Sequence, residues 1–439
     1  MAVVLTSAAR SAEHEAVTGR RRGTRRARGR TSERGGTSHP DVIVVGAGPV
    51  GMAAALALRE RELEALVVEA EPEDHVRPGS RAIYLHRESL QLLNGFHPGA
   101  GDRIAAEGLV WSIRRSTFRG RNVYLRTYPP LPAGVLPPSS SLPQARTEQL
   151  LLAACRDAGV RFRWHAPVVD TKTSPREAVV TLVSGEQLQA PYVVGADGAR
   201  SQVRTALGIP LVGPRSESSF VIVDVDELPT PLLPPERVFH YEHPAVDGRN
   251  VLLAAFAGGW RVDLQCRKDD DAGRLSSQEG VRRWLGQVMD PRYLERVAWV
   301  STYQFLQVVA RDFTDPERRA LLLGEAAHLF SPFGARGMNS GFADAAAAAG
   351  AIRAALDSPD RTAARAAIER FAADRHDAAE HNRAAARSAL AHMEATDPRI
   401  RVKRRIAAAL APRVERAGRW LDEAPYGPRG GRRGKQGRY

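Results

Sequence analysis

Apolar runs in this chain fall into two kinds. Some are short, β-branched and bounded by glycine; others alternate. Asp41–Val45 is of the first kind and leads into Gly46-Ala47-Gly48-Pro49-Val50-Gly51, after which Met52–Arg61 suits a helix. A second apolar run, Ala65–Val68, ends at Glu69. Strand, glycine turn, helix, strand and acid make one βαβ unit. Farther on, Gln144–Gly159 predicts a helix and turn, and Tyr192–Arg204 a buried strand, an Asp-Gly turn and a basic helix start. Ala320–Leu323 predicts a strand that enters a glycine-rich segment, Gly324–Asn339, and then an alanine-rich helix. Between these lie runs of the second kind: Phe220–Val225, Arg237–Tyr241, Asn250–Phe256, Trp260–Gln265 and Trp299–Val309, which suit an antiparallel sheet. Alternation from Trp299 to Phe305 puts Tyr303 and Phe305 on one face. Residues 356–424 read as helical and basic on one side.

The glycine turn has separable physical requirements. Gly46 permits the tight turn, Gly48 lets the backbone approach a pyrophosphate, and Gly51 lets the helix pack close to the strand. The helix N-terminus then offers free N–H groups to the phosphates. Glu69 is placed to accept from both hydroxyls of an adenosine ribose, which favours a free 2′-hydroxyl. The turn by itself leaves NAD and FAD both open.

Composition adds exclusions. The 439 residues, 43% of them hydrophobic and 26% charged, are of globular type. Cys155 and Cys266 are too few for a disulfide framework or a cysteine-built zinc site, which points to a reducing, cytoplasmic setting. No apolar run reaches the roughly 20 residues of a membrane helix. The net charge of +13 suggests nucleic acid at first sight. Its distribution removes the suggestion: residues 1–40 carry nine arginines against three glutamates, and residues 425–439 carry four arginines and Lys435 with no acid. The body between is nearly neutral, so both ends read as disordered basic tails and no specific nucleic-acid partner is expected.

At Gly46–Gly51, Tyr192–Arg204 and Gly324–Asn339, in that order, the chain resembles the class A flavoprotein monooxygenases, the para-hydroxybenzoate hydroxylase and phenol hydroxylase superfamily. The resemblance implies FAD in the Gly46–Gly51 site, with NAD(P)H as a transient co-substrate. It implies an α/β fold: a Rossmann-like FAD-binding domain of glutathione-reductase type, an inserted antiparallel-sheet substrate domain and C-terminal helices. The boundaries expected are 41–110, 140–215 and 310–355 for the FAD-binding domain, 111–139 and 216–309 for the sheet domain, and 356–424 for the helices. A homodimer is compatible with it.

The resemblance also carries residue roles. Asp197 and Gly198 match an Asp-Gly motif near the pyrophosphate and the passing nicotinamide, with Arg200 and Arg204 adding positive charge; a plain strand-ending turn is the alternative. Glu325 stands where the family usually has the Asp that binds the ribityl chain, and the added methylene is a departure. Gly334, Gly337, Met338 and Asn339 precede a helix whose N-terminus would face the flavin pyrimidine edge, Pro332 would lie beside the face where oxygen reacts, and His328 is a structural candidate. Arg81 matches a phosphate-approaching arginine and Gln144 a flavin-contacting glutamine. Tyr303 is either a partner for a phenol hydroxyl or a core aromatic. His240 and Tyr241 are weaker candidates, since lone polar strand residues usually face water.

The implied activity is NAD(P)H-dependent hydroxylation of a phenolic or polyketide-like aromatic through a flavin C4a-hydroperoxide, with no metal. Another flavin-dependent oxidoreductase, or a flavin-binding protein without enzymatic activity, is the alternative. The halogenase signature Trp-x-Trp-x-Ile-Pro is absent, no two of the six tryptophans being two apart.

Overall fold

A computed structural model describes residues 39–132 and 134–428, with only the backbone at 215–218. The basic stretches 1–38 and 429–439 lie outside the described residues. The β-branched run Val42–Val45 is fully buried, and its position explains its composition: it is the central strand of a five-stranded parallel sheet. Tyr192–Gly195 flanks it on one side and Ala65–Val68 on the other; Ala320–Leu322 and Arg161–Arg163 form the edges. Strands covered on both faces must be apolar throughout. A small antiparallel sheet, Val168–Thr173, Ala178–Leu182 and Gln187–Ala190, shares this core.

The first helix runs from Pro49 to Glu60, three residues earlier than the composition suggests. Pro49 fits the first helical turn, where its missing N–H costs nothing, and the Met52 N–H already bonds to the Gly48 carbonyl at 3.0 Å.

The second large sheet has seven strands in the order Val297–Leu306, Arg215–Asp226, Gly259–Gln265, Arg249–Phe256, Glu236–His243, Ile113–Phe118 and Arg121–Thr127. It is mixed rather than antiparallel, because Glu236–His243 and Ile113–Phe118 pair in parallel. The expected strand Trp299–Val309 is two strands. At Gln307 the N–H turns to the Pro214 carbonyl, and Val308–Ala310 joins Leu211–Val212 and His328–Leu329 in a separate sheet.

Both faces of the seven-stranded sheet are covered. One buries Val221, Val223, Trp260, Val262 and Leu264 beneath the Gln278–Leu285 helix, whose Val281, Trp284 and Leu285 join the same cluster. The other buries Phe220, Phe239, Tyr241 and Phe305 against Phe333 and the C-terminal helices. Those helices are Arg361–Glu394, Pro398–Leu410 and Glu415–Glu423. Asp360 starts the longest by accepting from the Thr362 N–H at 2.9 Å.

Candidate functional site: a cleft at the carboxyl edge of the parallel sheet

Parallel strands deliver four of the sequence motifs to one edge. Gly46 follows Val42–Val45, Glu69 follows Ala65–Val68, Asp197 follows Tyr192–Gly195, and Glu325 follows Ala320–Leu322. A crevice outside the carboxyl ends of such strands is where open α/β sheets take ligands.

Contacts between these loops are tight. A Cβ on Gly46 would lie 2.6 Å from the Ala196 carbonyl oxygen, and φ at Gly46 is +102°. Val50 of the glycine turn fills the space that side chains at Gly324 and Gly341 would need. Gly48 is different: a Cβ there meets nothing within 4 Å. The protein itself therefore does not require glycine at 48, which fits a position kept bare for a pyrophosphate.

Glu69 is nearly buried and accepts the Ala47 N–H at 2.5 Å and the Glu71 N–H at 3.1 Å. It forms part of a cleft with Met52, Leu152 and Trp164 that encloses about 610 Å³, open mouth included. An apolar wall and an acid match an adenosine end. Asp197 caps the short Gln202–Ala206 helix through one oxygen, accepting from the Gln202 N–H at 2.7 Å and the Val203 N–H at 3.1 Å. Its Oδ1 is buried with no hydrogen-bond partner among the described residues. Burial raises its pKa, against hydrogen bonds from Ser201 and the helix N–H groups. Gly198 has φ +77°. Arg204 does not point its charge at the cleft as expected; its guanidinium donates to the carbonyls of Ala199 and Ala326 and ties the two loops together.

Glu325 stands solvent-accessible within this concave edge. Surrounding protein raises its pKa by desolvation, opposed by the charges of His328, Arg81 and Arg77. Arg81 is exposed and sits at φ +48°, a conformation costly for a non-glycine residue. Gln144 opens the Gln144–Asp157 helix and is engaged with the Ala82 N–H at 3.3 Å and with Glu148 at 2.8 Å.

The helix Arg336–Asp357 begins after Ala335 in a left-handed turn, with no side-chain cap and no acid in its first turn. Uncapped N–H groups of this kind suit a developing negative charge. A Cβ at Gly337 would meet nothing, whereas one at Gly334, φ +88°, would press on the Tyr426 carbonyl oxygen at 2.8 Å. Pro332 is exposed and Met338 partly buried against the main core. Asn339 has a positioning role: its side chain accepts from the His86 N–H and the Ser89 hydroxyl and donates to the Tyr84 and Ala335 carbonyls.

Asp344 has no exposed surface and was not picked out by the sequence pattern. It accepts from the Gly324 N–H at 3.0 Å, from His328 at 2.9 Å and from Arg375 at 2.7 Å. Burial alone would raise its pKa; the charges of His328 and Arg375 and these hydrogen bonds outweigh that and hold it below the ordinary carboxylate value. The trio fixes the loop that carries Glu325, consistent with a structural His328. The only signal in the sequence was a lone Asp among alanines.

Over the cleft stands the sheet face that bears Phe220 and Phe305, whose rings lie 5.0 and 5.7 Å from Phe333, the neighbour of Pro332. Tyr303 shares that face, partly buried beside Trp299 at 6.2 Å. Tyr241 is wholly buried, bonding His392 and the Leu421 carbonyl, so it neither faces water nor belongs to the cleft. His240 is half-buried against Thr117. The end of the last helix and the segment after it cross the same sheet face. Asp422 is buried between Arg114 and Arg237, each 3.2 Å away, and Tyr426 lies under both guanidinium groups. Arg336 then ties the Tyr426 and Pro428 carbonyls to the Gly334 loop.

A glycine turn, an acid after the second strand, an Asp-Gly loop and a carboxylate after the outer strand share one edge, the arrangement of a dinucleotide-binding fold. Residues 39–386 match the model described as FAD binding domain, and the chain belongs to that family, within the class A flavoprotein monooxygenase group that its motifs resemble. It is 30% identical over 322 residues to 6-methylpretetramide 4-monooxygenase of Streptomyces rimosus, covering 70% of this chain and 54% of that protein. It is 27% identical over 314 residues to dialkyldecalin synthase of Streptomyces rugosporus, covering 69% and 63%. The chain thus spans little more than half to three-fifths of the length of such relatives. Among solved structures, p-nitrophenol 4-monooxygenase from Pseudomonas putida shares the fold, with TM-score 0.71, 22% identity, and 89% of this chain and 99% of that one covered. No described helix is long and apolar enough to cross a membrane. Among the described residues no cluster of three potential metal ligands is present.

Proposed function

We propose that this protein is an NAD(P)H-using, FAD-dependent monooxygenase that hydroxylates a phenolic or polyketide-like aromatic compound. The observation that carries the reading is the meeting of two parts. The FAD cradle, with Glu69, Asp197 and Glu325 at the ends of neighbouring strands, is roofed by a sheet that touches it through Phe333. Bound FAD would supply hydride acceptance and oxygen activation.

The chain's own residues bind, orient and exclude water. Glu69 holds the ribose, the Gly48 backbone admits the pyrophosphate, Arg81 approaches it, and Glu325 takes the ribityl hydroxyls. Gln144 reaches the flavin by releasing Glu148. The N-terminus of Arg336–Asp357, through Gly337, Met338 and Asn339, faces the pyrimidine edge and favours added negative charge there. Asp197 and Gly198 line the passage for the nicotinamide. Pro332 and Gly334 floor the reacting face, and Tyr303 offers its hydroxyl as a partner for the phenol oxygen of the substrate.

The test is an NAD(P)H-oxidation screen of the FAD-loaded protein against simple phenols and polyketide-like aromatics, with product mass followed. Stimulated oxidation and a product heavier by one oxygen are expected. The likeness to a dialkyldecalin synthase motivates a second reading, a flavin-holding scaffold without oxygen transfer. FAD binding with no aromatic-stimulated NAD(P)H oxidation would favour it.

A further inference from the structure

Two loops of the FAD-binding part dock on one face of the seven-stranded sheet. In the first, the Ser80 N–H and hydroxyl donate to Asp224 at 2.6 and 2.7 Å, Arg261 donates to the Ser80 hydroxyl at 2.7 Å, and Trp299 lies against Gly79. In the second, Phe333 packs on Phe220 and Phe305. Strand register turns these contacts into rows. Arg261, Asp224 and Trp299 are cross-strand neighbours in one row, and Gln265, Phe220 and Tyr303 in another. Between them runs the row Asp263, Ile222, Ser301. It therefore lies between the points where the Ser80 loop and the Phe333 loop dock.

Asp263 is the charged member of that row. Its side chain is only 7% exposed, and its Oδ1 is buried with no hydrogen-bond partner among the described residues. Arg261 does not need it. Arg261 already binds Asp224 and Ser80 and stands 4.0 Å from Asp263. The flanking partners of Asp263 on the neighbouring strands, Ile222 and Leu252, are apolar, and the docking loop meets this face through Ser80, which bonds Asp224 and Arg261. A surplus buried carboxylate with an open lone pair costs stability unless something uses it.

We propose that Asp263 is the base that accepts the hydroxyl proton of a phenolic substrate seated between this sheet and the flavin. This rests on the hydroxylase reading above. The substrate O–H bond breaks, an O–H bond forms on the Asp263 carboxylate, and the electron pair stays on the substrate oxygen. No electron is gained or lost. The new phenolate then faces Arg261, while the neutralised Asp263 no longer opposes it. An ionised ring oxygen makes the ring more nucleophilic toward electrophilic oxygen. Burial, opposed by Arg261 and reinforced by Asp224, pushes the Asp263 pKa up to about 7, the range in which a base exchanges protons readily at neutral pH.

The experiment uses 3-nitrophenol, a weaker acid than Asp263 whose phenolate absorbs in the visible, added to the FAD-loaded full chain at a pH above the Asp263 value of about 7 and below the probe's own, so that the carboxylate starts ionised and the free probe mostly neutral. Wild type should bind it as phenolate, with no proton released to a pH indicator because Asp263 keeps it. Asp263→Asn should bind it as the neutral phenol, the phenolate fraction falling about tenfold or more, the ratio that one pKa unit gives. Phenolate binding undiminished in Asp263→Asn with flavin retained overturns the proposal and leaves the hydroxylase reading standing. Should the variant lose flavin, wild type alone decides: neutral probe bound, or a proton released to solvent, overturns it. Failure of wild type to bind the phenol at all overturns it together with the phenolic-substrate reading.

Discussion

The carbonyl oxygen of Gly46 occupies the position that a Cβ on Gly51 would need, five residues along the same turn. Gly48, between them, has open space on its Cβ side. The three glycines therefore answer to different demands. Gly51→Ala should lower stability by at least 1–3 kcal/mol, as overpacking does, whether or not FAD is present. Gly48→Val should fold with near-normal stability yet lose FAD. Thermal denaturation of the flavin-free protein and FAD titration separate the two effects, and equal behaviour of the two variants would contradict the division.

Glu325 follows the strand that ends at Leu322 and is exposed at the carboxyl edge of the sheet. Glu325→Ala should weaken FAD binding by roughly tenfold or more, the scale of a lost charge-assisted hydrogen bond, and Glu325→Asp should largely retain it. Titration of the apoprotein with FAD, followed by flavin fluorescence, measures this. Three equal affinities would place the carboxylate away from the cofactor.

Asp344 neutralises Arg375 and holds the Gly324 loop. Asp344→Asn leaves the guanidinium without its buried partner and should cost about 3–5 kcal/mol. FAD affinity should fall with it. The folded carboxyl titrates below its ordinary value, so its stabilisation is complete above the ordinary carboxylate range and is lost as pH falls through the depressed pKa. Acid unfolding should therefore begin at higher pH in a surviving Asp344→Glu variant than in wild type.

For Asp263 the sign is opposite. Its folded pKa, about 7, lies above the ordinary 3.8, so between those values the folded chain holds more protons than the unfolded one. Stability from this group falls as pH rises across that window and is level above it. Asp263→Asn removes the slope. The melting temperature of the variant relative to wild type should rise from pH 5 to pH 8 in the flavin-free protein; a constant difference would show that the carboxyl titrates normally.

Tyr303 shares a sheet row with Phe220, which touches Phe333. Tyr303→Phe should leave FAD content unchanged and lower the yield of hydroxylated product per NAD(P)H consumed. A yield and rate equal to wild type on a true substrate would make Tyr303 a packing residue only.

Several parts of the molecule were legible in the sequence alone. The pattern at Val42–Val45, Gly46–Gly51 and Ala65–Glu69 is local: each requirement is met within a few residues, so sequence determines it. The Asp197–Gly198 turn and the Gly324–Asn339 segment were legible through their resemblance to a known family, and the structure brings both to the edge where Gly46 lies. Alternation in Trp260–Gln265 was equally plain, but its meaning was not. A strand with Arg261, Asp263 and Gln265 on one face reads as half-solvated, yet all three are buried. Only tertiary structure decides this, because the loops at Ser80 and Phe333 and the C-terminal helices that cover that face come from distant parts of the chain. The split at Gln307, the Asp344–His328–Arg375 trio and the Asp422 anchor between Arg114 and Arg237 are of the same kind. A buried charge is set by partners that approach through space, and periodicity along the chain carries no record of which residues those will be.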